Sequence, residues 1–501
     1  MTEVFLHKSY AQRKPEVSTM HQVIREQLDT FMAEREIENR FLPAYILKSF
    51  ERYLECGIPA YGVAKIQCND CGKVFALPFS CKCRGICPSC HGRRAAEVAI
   101  HLVDNVFPRV PVRQYVVNFP FPLRLWIASN KKVLSEVCAI VCATIKEFIL
   151  RRATHGVDAE RDPNIKTGLV CFVQRFGSSL NLNPHFHIIA VDGAYFCDEG
   201  YRPIFVAMSK PSDDEIANLT RNISESVNSY LIDKGFLVEE GDILSMVNTE
   251  GIFEADVDTD VHAPAMACSI SQTIAFGPRR GQPVQRLRPL HPGCGTWPNQ
   301  PTPEMKSHLC ASYDGYTVHA QRYIPAHDKE SLEKLVSYAA RGPLSDDRLK
   351  SLENGTVQVK LKTPWSDGTT HLIFTASEFI EKLIALIPPP WFHMVRYFGV
   401  FVSNAKYRNE VVPSASTPKL PKQKKPRYIK WADLLKRVFN VDVSKCSECG
   451  GAMRILGPIM PGQQLFELLE SLKLAKDPPL RSPAKTSHLF SYGEFPEVFC
   501  Q

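Results

Sequence analysis

Two histidines one residue apart, a tyrosine farther along, and a set of paired cysteines are the side chains here whose types and spacing can do chemistry. The stretch Asn183-Pro184-His185-Phe186-His187-Ile188-Ile189-Ala190-Val191-Asp192-Gly193 reads as a β-strand, with Phe186, Ile188 and Ala190 alternating with His185, His187 and Ile189. Both imidazoles therefore leave one face, their bases roughly 6–7 Å apart, close enough to share a metal ion. Neutral imidazole is a common ligand for a divalent cation. Pro184 disfavours helix at Asn183 and sharpens the strand start. Alone, such a pair is more often hydrogen-bonded in an ordinary strand than a ligand set. Its company downstream gives it weight.

The cysteines point to a second chemistry. Cys68-Asn69-Asp70-Cys71-Gly72 and Cys87-Pro88-Ser89-Cys90 are two Cys-x-x-Cys knuckles flanking a short strand, Val74–Phe79. At about fifteen residues apart they have the spacing of a structural four-thiolate zinc site built from Cys68, Cys71, Cys87 and Cys90. Cys81, Cys83 and His91 are spare candidates that could replace a knuckle member. Free core thiols would not generate two knuckles each beside Gly or Pro. Lys73, Arg84, Arg93 and Arg94 surround the site with positive charge, which suits a phosphate backbone and equally suits a solvated face. A third knuckle, Cys446-Ser447-Glu448-Cys449-Gly450-Gly451, is followed only by Cys500 and reads as half a zinc site.

Tyr338 lies on a helix expected over Lys329–Arg341 and closed by Gly342-Pro343. It is either a core or interface aromatic or a nucleophile. A phenol of ordinary pKa ~10 is a poor nucleophile at neutral pH. A metal on the histidine pair would polarise a phosphate and stabilise the transition state of an in-line displacement. The product, a phosphotyrosine, conserves bond energy for rejoining.

These groups need a scaffold, and the periodicity supplies one. Val112–Phe119, Gly168–Phe176, the histidine strand and Tyr316–Ile324 read as strands; Asn130–Arg152 and Asp213–Lys234 read as helices. The order βαββαβ plus the Tyr338 helix predicts an α+β fold, a ferredoxin-like core with an antiparallel sheet. A helical region precedes it, with apolar periodicity in His21–Met32 and Phe41–Leu54 and a helix over Arg93–Phe107. From Lys234 to Gly315 the chain reads as irregular, with a basic, turn-rich run through Gly277–Gly281 and Arg286–Arg288. Strands follow at Val357–Lys362 and His371–Thr375, then a helix at Glu378–Leu386. Arg396 and Tyr397 could grip phosphate and stack on a base, or serve a buried ion pair. Pro413–Lys430 reads as a linker, with six basic residues and no acid from Lys419 to Lys430, ahead of a helix at Trp431–Phe439. The expected domains are a helical zinc-binding region at 1–107, a catalytic domain at 108–405, a basic linker at 406–430 and a tail at 431–501.

The 501 residues suffice for several domains, and 23% charged with 44% hydrophobic residues is ordinary for a globular chain. A net charge of +7 is mild, so a polyanion would be met by local patches. No run reaches the ~18 apolar residues of a membrane helix; Val133–Leu150 is broken by Glu136, Lys146 and Glu147. Met1–Tyr10 lacks the apolar core of a signal peptide. Of 17 cysteines, seven lie between Cys56 and Cys90, which suits bound metal in a reducing compartment. A cytoplasmic protein with no membrane partner is expected.

Taken together, the chain resembles transposases of the IS-ninety-one and ISCR group, which belong to the HUH endonucleases, named for a His-hydrophobic-His motif. The resemblance rests on Tyr61-Gly62-Val63-Ala64, Phe79-Ser80-Cys81-Lys82, Cys87-Pro88-Ser89-Cys90, Asn183–His187 and Tyr338-Ala339-Ala340-Arg341. It continues through Lys362-Thr363-Pro364-Trp365, Arg396-Tyr397-Phe398-Gly399 and Cys446–Gly451. It implies a nuclease and strand transferase, dependent on Mg²⁺ or Mn²⁺, that nicks single-stranded DNA at transposon ends and joins it to target DNA, as in rolling-circle replication. His185 and His187 would hold the metal and Tyr338 would take the 5′ phosphate. Cys68, Cys71, Cys87 and Cys90 would bind structural Zn²⁺ and help hold DNA ends, with Arg341, Arg396 and Tyr397 as DNA contacts. Such a protein would work in the bacterial cytoplasm, at the nucleoid.

One position departs from the pattern. Some relatives carry two tyrosines four apart on this helix, and Lys334 stands where the first would be. A single-tyrosine enzyme must reuse Tyr338 or borrow from a second protomer, which leaves a homodimer open. The third catalytic metal ligand is unassigned, with Gln174 and His319 as candidates. The rival readings are a rolling-circle replication initiator or relaxase, and a zinc-containing DNA-binding protein without catalysis. A nucleotide hydrolase with three alternating histidines would need its third at position 189, where Ile189 stands, and is a poor reading.

Overall fold

The computed structural model describes residues 13–154, 162, 164–198, 201–240, 243–246, 260–286, 302–365, 367–413 and 444–485. The basic run Lys419–Lys430, the helix expected at Trp431–Phe439, and Cys500 lie outside them.

In chain order the elements that position the site are α1 (Thr19–Ile37), α2 (Ala44–Glu55), β1 (Val63–Cys68), β2 (Val74–Pro78), α3 (Pro88–Asn105), β3 (Val112–Asn118), α4 (Lys131–Ala153), β4 (Gly168–Phe176), β5 (Leu182–Val191) and α5 (Asp213–Asp233). There follow α6 (His262–Ser271), β6 (Glu304–Ser307), β7 (Cys310–Tyr313), β8 (Tyr316–His319), α7 (Lys329–Ala340), α8 (Ala376–Leu386), β9 (Val395–Gly399), β10 (Met453–Ile459) and α9 (Gln463–Ser471).

The central sheet is antiparallel, in the order β6-β7-β8-β3-β5-β4-β9, with the short strand Tyr323–Ile324 also pairing with β3. Its middle strands are covered on both faces, which is why β4 is buried along its whole length. Tyr115, Val117, Cys171, Phe186 and Ile188 face α4 and α5. Val112, Val170, Phe172, Ile189 and Val191 face α3 and α7. The alternation read from the sequence thus holds: the histidines share the Ile189 face, turned toward the Tyr338 helix.

Local rules explain the helix starts. Asn130 caps α4 by accepting from the backbone N–H of Lys132 and Val133. Ser212 and Glu215 form a reciprocal capping box on α5. α6 arises where the sequence reads as irregular. It buries His262, Ala263, Ala265, Met266, Ser269 and Ile270, so it shows little apolar–polar period. It packs on α8 beside α1, in a second core that also takes in a four-stranded sheet containing Val357–Lys360 and His371–Phe374.

The expected C-terminal tail is folded back. β10 pairs antiparallel with β1, giving a three-stranded sheet β2-β1-β10, and Leu465 and Leu469 of α9 pack with Val63. Among the described residues no helix is long and apolar enough to cross a membrane.

One ion pair ties the sheet to its loops. Arg113 donates from Nε and Nη2 to the Asp192 carboxylate at 2.8 Å each, and from Nη1 to the Ala320 carbonyl at 3.2 Å. Both side chains are almost fully buried. Asp192→Asn would leave the guanidinium without its counter-charge, and a loss of about 3–5 kcal/mol is expected in urea unfolding. A loss under about 1 kcal/mol would show that the Ala320 carbonyl alone suffices.

Candidate active site and metal centres

On β5, His185 and His187 bring their Nε2 atoms to 3.2 Å of one another. The Nδ1 of His185 lies 2.8 Å from the Asn183 carbonyl, an acceptor, so that nitrogen carries the proton and Nε2 keeps its lone pair. The Nδ1 of His187 lies 2.7 Å from the Gln114 Nε2 on β3, which donates to it and leaves the proton of the neutral ring on Nε2, facing His185. A cation between the rings requires the Gln114 amide to turn its oxygen to Nδ1. Burial pulls both imidazoles below their ordinary pKa, His187 to about 3, with His185 and Arg341 adding to the effect. Both are neutral at pH 7. Two nitrogens at ~2.1 Å from one ion, ~90–110° apart, would lie ~3.0–3.4 Å from each other. The observed 3.2 Å separation fits a shared cation.

Tyr338 reaches the same place from α7. Leu332, Leu335, Val336 and Ala339 bury one stripe of this helix, chiefly against α3. Tyr338 stands beside that stripe, 48% exposed, its ring centroid 5.8 Å from that of His187. Arg341 donates to the Tyr338 hydroxyl at 3.2 Å and lays its guanidinium over the ring at 4.1 Å; Lys362 lies 5.6 Å from the ring centre. Lys334, one turn back, is exposed and paired with Glu330 at 2.5 Å.

Gln174, a candidate third ligand, has another task. Its Nε2 donates at 2.9 Å to the carbonyls of Tyr338 and Ala339, satisfying two acceptors that a helix end leaves open. His319 sits on β8, opposite Val116, with all of β3 between it and β5. Among the described residues no third His, Cys, Asp or Glu donor joins the imidazole pair. Gln114 was missed. The signal is Arg113-Gln114, two adjacent polar residues, both buried, inside a strand whose only other amide or charged residue is its last, Asn118.

The turn after α7 rests on α3: a Cβ at Gly342 would come within 2.5 Å of the His91 ring. Here a cleft of about 290 Å³ opens, lined by Arg84, Arg94, Arg175, Arg341, His91 and His393 among others. Arg175 is fully buried, donates only to the Ala128 and Ala385 carbonyls and the Met266 sulfur, and has no carboxylate partner among the described residues. Burial lowers its pKa to about 10. Arg396 and Tyr397 lie elsewhere, on the edge strand β9. Arg396 pairs with Cys171 and so leaves the face opposite to the histidines; Tyr397 packs with the core that joins α3 to the sheet.

The cysteines correct the expected ligand set. Cys68, Cys71, Cys87 and Cys90 do not form one group. Cys87 and Cys90 converge with Cys56 and Cys81, whereas Cys68 and Cys71 converge with Cys446 and Cys449. In the first group the Sγ separations are 3.7 Å (Cys56–Cys87), 3.8 Å (Cys56–Cys90) and 3.4 Å (Cys81–Cys90). Four sulfurs at ~2.3 Å around a tetrahedral zinc would lie ~3.8 Å apart. The reason for the regrouping is mechanical. β1 and β2 carry the 68/71 knuckle out along a hairpin, away from Cys87 at the start of α3. The sequence offers Cys81 as a spare ligand but gives no sign of Cys56, which follows α2 outside any knuckle. Cys138, Cys142 and Cys171 also cluster, but inside the apolar core under α4, where thiols pack as small hydrophobes.

Two family models match separate parts of the chain. Residues 168–409 match the family described as "Putative transposase", and residues 23–119 match the "Transposase zinc-binding domain". The protein named "Putative transposase y4qJ" from Sinorhizobium fredii (strain NBRC 101917 / NGR234) is 29% identical over an alignment 116 residues long that covers 21% of this chain. The match spans only 28% of that relative's length. No solved structure matches the chain. The zinc-binding match covers α3 with its cysteines and the transposase match covers β5 with its histidines and α7 with Tyr338, and the chain belongs to the IS91 family of transposases.

Proposed function

We propose that this transposase is a metal-dependent HUH endonuclease and strand transferase, nicking single-stranded DNA at transposon ends through a 5′-phosphotyrosine on Tyr338, in rolling-circle fashion. The observation that carries this reading is the meeting of the His185 and His187 nitrogens with the Tyr338 ring on one face of the sheet. The strand order β8-β3-β5-β4 supports a ferredoxin-like core, since it is the order a split βαβ unit takes.

In the reaction the Tyr338 Oη forms a bond to the scissile phosphorus and the bond to the 3′ oxygen breaks. The phenol proton is released to solvent and the departing oxygen takes one up, leaving a 3′ hydroxyl. Arg341, already donating to Oη, offsets the negative charge as the phenol deprotonates and as charge builds on the phosphate. The Nε of Arg341 is buried and has no hydrogen-bond partner among the described residues. Mg²⁺ or Mn²⁺ between the imidazoles, when bound, would polarise the phosphate. Rejoining reverses these steps, with an incoming 3′ hydroxyl displacing Tyr338. The arginine-lined cleft beside the α7 terminus suits a flanking nucleotide, because Arg175 there has no carboxylate partner among the described residues.

The test uses labelled single-stranded oligonucleotides tiled across the ends of the element, with Mg²⁺ or Mn²⁺, read on denaturing gels. A metal-dependent covalent adduct is expected on the tile that holds the cut site. Binding with no adduct on any tile would leave a DNA-binding protein without nicking activity. Gln114 should matter as a positioning residue: Gln114→Leu is expected to weaken Mn²⁺ binding ~10–100-fold in calorimetric titration. An unchanged affinity would assign Gln114 to packing alone.

A further inference from the structure

We propose that Cys68, Cys71, Cys446 and Cys449 form a second zinc site, a zinc ribbon whose halves come from opposite ends of the chain. The four sulfurs lie within 4.8 Å of one another, with Cys68–Cys449 at 3.5 Å and Cys71–Cys446 at 3.7 Å. Those separations match sulfurs at ~2.3 Å around a tetrahedral ion, ~3.8 Å apart. The partners are 381 and 375 residues apart in sequence, so no local folding brings them together.

The two halves are built alike. Both read Cys-x-x-Cys-Gly, and the glycine after the second cysteine has a left-handed φ in each, +72° at Gly72 and +74° at Gly450. In each, that glycine N–H donates to the carbonyl of the first cysteine, Gly72 to Cys68 at 3.2 Å and Gly450 to Cys446 at 3.0 Å. Each knuckle also sits at the tip of a hairpin: β1 and β2 for the first, the Lys445–Ala452 bridge leading into β10 for the second. The β1–β10 ladder and the bond from Asn69 N–H to the Ala452 carbonyl hold the tips face to face. Lys73 pairs with Glu448 across the seam. The approach is close enough that a Cβ at Gly451 would collide with the Asp70 carboxylate.

Chemistry favours a metal over free thiols. Cys71 and Cys449 are exposed, and Cys68 and Cys446 are buried. Four thiols converging at a surface, without an apolar core around them, gain little from packing. A shared Zn²⁺ satisfies all four and fastens the C-terminal segment to the N-terminal strands. The site is separate from the Cys56/Cys81/Cys87/Cys90 group and from Tyr338, so it stands or falls independently of the nicking reading.

Metal analysis of the full chain is expected to give two zinc ions per molecule, and Cys446→Ser/Cys449→Ser one. Thiol alkylation followed by mass spectrometry needs no variant and so is indifferent to misfolding. In the zinc-loaded chain Cys71 and Cys449, although exposed, should resist iodoacetamide, and a chelator should raise their labelling rates at least tenfold. Prompt labelling of both before chelation, or a zinc content unchanged by the double substitution, would overturn the proposal.

Discussion

Tyr338→Phe is expected to abolish covalent attachment to DNA while leaving DNA binding within about twofold of the parent. Removing a covalent nucleophile costs on the order of 10⁴–10⁶-fold in rate. Phenylalanine keeps the ring that meets His187 at 5.8 Å and lies under Arg341 at 4.1 Å, so the helix and its electrostatics stay in place. Only the Oη is lost. Half of the tyrosine is exposed and its neighbours on α7 are packed by other side chains, so the fold does not depend on it. The measurement is a pair of gels on one oligonucleotide, native for binding and denaturing for the adduct. Equal loss in both would mean that Tyr338 is structural, and persistent adduct would mean that another residue attacks.

The second large effect concerns the zinc module. Cys87→Ser is expected to remove one zinc ion, unfold the turn between β2 and α3, and abolish nicking together with it. A structural zinc site contributes ~10–16 kcal/mol of apparent binding free energy, comparable to the ~5–15 kcal/mol that holds a whole domain folded. Cys87 is the N-cap of α3 and Cys90 lies in its first turn, so the metal anchors the start of that helix. α3 in turn packs along α7, and the turn after α7 presses on His91. Loss of zinc therefore propagates to Tyr338. Cys83→Ser provides the contrast. Cys83 is buried beside Cys81 but outside the four-sulfur group, so its zinc content and activity should stay near the parent values. Should Cys83→Ser lose zinc and Cys87→Ser keep it, the ligand set would be misassigned.

Much of the candidate site was legible because its information is local. Strand alternation put His185 and His187 on one side, and the βαββαβ periodicity predicted strands and helices close to those observed. The helix carrying Tyr338 was expected over Lys329–Arg341 and runs over Lys329–Ala340. Where burial was uniform the pattern went silent: α6 has apolar residues around most of its circumference, and its helix was not read. Gln114 and Gln174 gave little local sign of their tasks. A glutamine can be a ligand, a helix-end donor or an imidazole partner, and only its neighbours in space distinguish these.

The sequence by itself determined which chemistries were on offer: imidazoles two apart on a strand, a tyrosine near the end of a helix, cysteines in knuckles. Residue type and short-range period are enough for that, since backbone geometry repeats every two or 3.6 residues. Only the tertiary structure decided which groups belong together. The 68/71 knuckle could join any other pair of thiols by sequence, and spacing favoured Cys87 and Cys90. The β1–β10 ladder instead sends it to Cys446 and Cys449, and frees Cys87 and Cys90 to close on Cys56 and Cys81. Long-range pairing depends on which strand edges remain open once local elements have formed, and no local pattern encodes that.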